Sequence, residues 1–167
     1  MFTKLMKNMW VIHSLRTGAA AGLSLYAAKM LNLSEYYWAP ISTLIVMQST
    51  LGASWDTSKQ RVIGTVLGAL FAGLFANFFG AEPILFAFGI LLLGLTCSVL
   101  KLTLSAYRFA GVTFAIILLM HHNEVAWRIG MHRFIEVVLG ISVALIVSVV
   151  GPGCPFSDRA FRMLHIK

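Results

Sequence analysis

Six apolar stretches partition this chain, each roughly long enough to cross a bilayer core of about 30 Å, and that restricts it to a bundle of membrane helices. They fall at residues 12–31, 37–54, 60–79, 83–100, 104–121 and 129–150. Only 11% of the 167 residues are charged, against about 25% in a soluble domain. The length accommodates a single membrane domain over 1–167, with short cytoplasmic termini and no second, soluble domain. The expected fold class is all-α: a polytopic membrane protein of six transmembrane helices.

Punctuation supports these cuts. Asn32-Leu33-Ser34-Glu35 separates the first two stretches, and Pro40 sits in the first turn of the second, where a missing N–H costs little. Gly80-Ala81-Glu82-Pro83 separates the third and fourth, His121-His122-Asn123-Glu124 precedes the sixth, and Gly151-Pro152-Gly153 ends it. Trp10, Trp38, Trp55 and Trp127 all fall at span ends, where indole rings anchor at the membrane surface.

Charge gives the orientation. Lys4, Lys7, Lys59, Arg61, Lys101, Arg108, Arg159, Arg162 and Lys167 crowd alternate junctions, while Glu35, Glu82 and Glu124 occupy the others, with Lys29 and Arg128 as exceptions. The positive-inside rule then puts both termini in the cytoplasm. Lys4 and Lys7 precede a long apolar run without a clear cleavage pattern, which reads as an uncleaved anchor. The sequence pI near 9.9 would suggest nucleic acid in a soluble protein. Here the basic residues are scattered over separate loops, so no nucleic-acid partner is expected and membrane lipid is. Cys97 and Cys154 are too few for a disulfide framework.

Two spans share a frame. The run Arg61 to Ala72 aligns without a gap on Arg133 to Ala144, matching Arg, Ile, Val, Leu, Gly and Ala. The same offset pairs Gly22-Leu23 with Gly94-Leu95 and Lys29 with Lys101. An odd number of spans per unit makes the second unit enter from the opposite side, so the expectation is two inverted three-helix units, an architecture common among secondary transporters. Gly64, Gly68, Ala72 and Ala76 recur four apart on one face of the third span, and Gly140, Ala144 and Ser148 do so on the sixth. Such seams let helix backbones approach closely, so Gly64, Gly68 and Gly140 read as helix-packing positions.

Tyr37-Trp38-Ala39-Pro40-Ile41-Ser42-Thr43, then Gln48, then Arg61-x-x-Gly64-Thr65-x-x-Gly68, resembles the membrane half of the fusaric acid resistance and aromatic acid exporter family. Arg16-Thr17-Gly18 and Arg133-x-x-Glu136-x-x-x-Gly140 fit the same pattern, and the likeness covers nearly all of residues 12–150. Plant aluminium-activated malate transporters look like distant relatives. The resemblance implies export of small organic anions, aromatic carboxylates among them, from the bacterial inner (plasma) membrane by helical units that work in pairs. Members often carry two membrane halves or a large cytoplasmic domain, so this single half is expected to form a homo-oligomer, a dimer by preference.

The residues point the same way. A cation at mid-helix costs roughly 2.5–3.5 kcal/mol, less where it can snorkel to headgroups. Arg16, Arg61, Arg108 and Arg133 each lie within about two turns of a span end, so snorkelling is the bland reading of any one of them. Together they mark both mouths with few compensating acids, and guanidinium forks suit a carboxylate. Arg61 and Arg133 come first as anion-path residues because each shares a face with a small-residue seam; Arg108 follows, then Arg16, whose neighbours Gly18 and Gly22 suggest a closely packed helix. Gln48, with Ser42, Thr43, Ser49 and Thr50, either lines the path or bonds neighbouring helices. Glu136 lies three residues after Arg133 and four after His132, on one helical face. It reads either as the neutralising partner of a buried arginine or as a proton-coupling carboxylate with His132 as relay.

His121, His122 and Glu124 have no fixed geometry and read as a solvated loop, so no metal site is expected. There is no His-Glu-x-x-His, Gly-x-Ser-x-Gly, phosphate loop or Cys-x-x-Cys, hence no enzyme and no cofactor. A transporter of organic anions is the reading, beside a passive anion channel at a dimer interface and a non-transporting scaffold subunit.

Overall fold

A backbone flanked by apolar side chains satisfies its own N–H and C=O groups most fully in a helix. The computed structural model describes residues 2–48, 50–78, 82–120 and 126–150, with side chains described from Trp10 onward except at 77, 78 and 126. These residues form six α-helices and no strand: α1 (Phe2–Met30), α2 (Trp38–Val46), α3 (Leu51–Phe78), α4 (Pro83–Val99), α5 (Leu104–Met120) and α6 (Ala126–Val150). Within α6, Trp127–Val150 is long and apolar enough to cross a membrane; α4 and α5 are apolar but shorter.

The second apolar stretch differs from expectation. Instead of running over 37–54, its helix α2 has nine residues, about 14 Å, and ends at Val46. Helix α3 begins at Leu51 rather than at residue 60. The break has a local cause. Met47 still donates its N–H to Thr43 O at 2.9 Å but turns extended, with ψ 98°. Gln48 N–H then goes to Ser54 Oγ at 3.1 Å, and Thr50 Oγ1 accepts from Ala53 N–H at 3.2 Å as an N-cap.

Helices α1 and α4 end by the same device. Leu33 N–H reaches Ala28 O and Asn32 N–H reaches Lys29 O; Leu102 N–H reaches Cys97 O and Lys101 N–H reaches Ser98 O. Each pair is a Schellman motif, and it demands a left-handed residue: Asn32 has φ 53° and Lys101 φ 52°. Asparagine tolerates that conformation, whereas lysine carries a strain of about 1–2 kcal/mol. Lys101→Gly is therefore expected to raise the thermal unfolding midpoint in detergent, with a gain of about 1 kcal/mol.

The chain packs as two compact units, Met1–Ser58 with Val138–Lys167, and Lys59–Val137. In the first, α1 buries Ala20, Ser24 and Ala28 in one line. The end of α6 lies against α2 so closely that a side chain on Gly140 would strike Ala39 O and come within 2.7 Å of Ser42 Cβ. Across this crossing, the Thr43 hydroxyl donates to Gly140 O at 2.9 Å and also lies 3.1 Å from Ala39 O in its own helix. In the second unit α3 lies on α5. A side chain on Gly64 would meet Ala106 O at 2.6 Å and Phe109 Cβ at 2.7 Å, and one on Gly68 would strike Ala110 O. Ala72, Phe75, Leu93, Ala110, Phe114, Ile117 and Leu118 form the hydrocarbon core there, with the Phe75 and Phe114 rings edge to face at 5.6 Å.

Candidate functional site

The second unit buries charge. Arg61 is 6% exposed and Arg133 4%, and Glu136 is wholly enclosed. Arg61 opens the face that Gly64 and Gly68 continue, and that close helix contact brings α5 under its guanidinium. The guanidinium lies over the Phe109 ring, 5.1 Å from its centroid. Such a contact stabilises by about 2 kcal/mol when desolvated, and it keeps the cation directed inward. On α6, Arg133 Nη1 stands 3.9 Å from Glu136 Oε2, one turn away. His132 is half-buried, and its Nδ1 is enclosed without a hydrogen-bond partner among the described residues.

A side chain on Gly130 would lie 3.2 Å from Ala69 Cβ. Arg108, on α5, is exposed.

The other sequence-derived positions fall in the first unit. Arg16 is half-buried and donates from Nη2 to Ser148 O at 3.1 Å, while its Nε is enclosed and bonds to nothing among the described residues. The Ser148 hydroxyl bonds Met47 Sδ at 3.4 Å, so Arg16 is linked through one residue to the end of α2. Gln48 is exposed and donates from Nε2 back to Ile45 O at 3.0 Å. The close packing expected around Gly18 and Gly22 is not found: a side chain at either would meet nothing within 4 Å. Thus Arg61, Arg108, His132, Arg133, Glu136, Gly64 and Gly68 belong to one unit, and Arg16, Gln48 and Gly140 to the other.

His121, His122, Glu124 and Cys154 lie outside the described residues. Among the described ones there is no group of three or more His, Cys, Asp or Glu able to hold a metal ion. Sequence reasoning missed Phe109 beneath Arg61, and no spacing rule links residues on separate helices. It also missed the α2 break, although Thr50 ahead of Leu51 is a readable cap signal.

Residues 21–147 match the family model described as fusaric acid resistance protein-like. The "uncharacterized transporter YdhK" of Salmonella typhimurium is 29% identical over 168 residues, covering 93% of this chain and 25% of that protein. Its namesake in Escherichia coli K12 is 34% identical over 138 residues, covering 77% of this chain and 21% of that protein. The UPF0421 protein BH2644 of Halalkalibacterium halodurans is 28% identical over 144 residues, with 86% and 40% covered. The chain thus spans about a quarter or less of the length of the YdhK proteins. No solved structure matches it. With the family model matched over most of its length, the chain belongs to the fusaric acid resistance protein-like family.

Proposed function

We propose that the chain is a bacterial membrane transporter that moves small organic anions outward, aromatic carboxylates among them, through a site lined by Arg61 and Arg133. The observation that carries this reading is the burial of both guanidinium groups in a chain this apolar, with the wholly enclosed Glu136 at 3.9 Å from Arg133. A cation inside apolar packing is expensive and marks ion or substrate pathways. Guanidinium forks suit a passing carboxylate. The YdhK relatives, named as transporters, support the general class.

The remaining reading is a single membrane domain of six spans in the inner membrane, both termini cytoplasmic, built from two inverted three-helix units and working as a homodimer. Broken helices accompany substrate sites in such transporters, and the α2 break is consistent with that architecture. Arg16, Arg108 and Gln48 are assigned to the anion path, and Glu136 with His132 to proton coupling.

The test is flux into liposomes containing purified protein, challenged with benzoate, a dicarboxylate and inorganic anions, with and without a pH step. Losing a charge-assisted bond is worth about 1.5–3 kcal/mol, so Arg61→Ala and Arg133→Ala are expected to slow benzoate flux about tenfold to a hundredfold. Arg61→Lys retains charge but not the fork and falls between. Wild-type flux in both alanine variants, verified as folded by thermal melting, overturns the assignment.

A further inference from the structure

The turn between α1 and α2 holds opposite charges that are engaged by neighbouring aromatic groups rather than by each other. The Schellman end of α1 returns the chain at Asn32 and leaves Lys29 exposed in the last helical turn. Lys29 Nζ sits over the Tyr36 ring, 5.1 Å from its centroid. Six residues on, Glu35 Oε2 accepts the Tyr37 hydroxyl at 3.0 Å and the Trp38 Nε1–H at 2.9 Å. Those two bonds fix the carboxylate through one oxygen, and among the described residues nothing bonds the other. The Tyr36 and Tyr37 rings meet edge to face at 6.1 Å, and the Tyr37 and Trp38 rings lie 5.5 Å apart. Both tyrosines are 41% exposed, so the strip faces outward.

A cation at one end of an aromatic strip and an anion at the other is the mirror image of a zwitterion. We propose that this turn binds the headgroup of a phospholipid with a primary ammonium, the phosphatidylethanolamine class. Lys29 meets the phosphate, and the free oxygen of Glu35 receives the ammonium N–H groups while ring faces flank it. Tyrosine and tryptophan favour the headgroup level of a bilayer, which fits the position of this turn at a span end. The assignment also accounts for Lys29, a basic residue at a junction where the others are acidic. An anionic headgroup without the ammonium would meet Glu35 and be disfavoured. This inference rests on the membrane reading of the chain and not on what the chain carries.

The test is native mass spectrometry of the detergent-purified protein titrated with phosphatidylethanolamine or phosphatidylglycerol. One charge contact at a membrane surface is worth about 1 kcal/mol, so the wild type is expected to favour the ethanolamine lipid about fivefold. Glu35→Gln should erase that preference, and Lys29→Gln should weaken both lipids while Lys29→Arg restores them. Equal retention of the two lipids by the wild type, or a preference that survives in both Glu35→Gln and Lys29→Gln, overturns the proposal. Melting curves separate misfolding from lost binding, and Lys29→Gln, at an exposed side chain, keeps the test open should Glu35→Gln fold poorly. Anion flux measured on the same preparation is an independent readout. Ethanolamine-lipid selectivity without benzoate transport upholds this site and removes the transport assignment.

Discussion

Alanine at Gly68 is expected to destabilise the protein by about 3 kcal/mol, the upper end of what over-packing costs. The added methyl would strike the Ala110 carbonyl oxygen and come within 2.9 Å of Thr113 Cβ. A backbone carbonyl inside a helix has no rotamer by which to retreat, so α3 and α5 must move apart along the whole contact. Gly140→Ala should behave alike, since its neighbour is the Ala39 carbonyl. The control is internal. Gly18→Ala and Gly22→Ala meet nothing within 4 Å, so helix propensity alone acts there and each should gain about 1 kcal/mol. Thermal unfolding of the four variants in one detergent decides the matter: four similar shifts would refute the packing account.

Removing the Glu136 carboxylate is the second large effect. Glu136→Ala leaves Arg133 enclosed beside a vacated space, and breaking a buried ion pair in this way costs about 3–5 kcal/mol. Replacing both partners, as Arg133→Met with Glu136→Leu, should recover most of that loss, because no lone charge remains inside. Glu136→Gln keeps shape and hydrogen-bonding capacity and is expected to fold. If Glu136 carries the coupling proton, this variant loses uptake driven by a pH step while retaining exchange of anion for anion. Normal pH-driven uptake by folded Glu136→Gln would exclude that role and leave the carboxylate as a neutralising partner.

How much of this was legible beforehand follows from which forces act locally. The Arg133–Glu136 pairing was readable because residues three apart on a helix share a face whatever surrounds them. The seams of Gly64, Gly68 and Gly140 were readable because a glycine at helical spacing among large apolar residues signals a close approach. The same logic misjudged Gly18 and Gly22, since the pattern is identical whether or not a neighbour arrives. The end of α2 was obscured by hydropathy, which stays high through Met47 and cannot tell one straight helix from two joined end to end. What turns the chain there is a set of hydroxyl and amide contacts, with Ser148 more than 100 residues away holding Met47. Phe109 under Arg61 was invisible for the same reason: the pairing exists only once α5 lies on α3.

Where α2 gives way to α3, the chain answers its own loose ends. The Gln48 amide hydrogen is taken by Ser54 Oγ, and the Gln48 side chain covers Ile45 O. An interruption whose described amide and carbonyl groups are met by neighbouring side chains depends less on solvent than a bare break would.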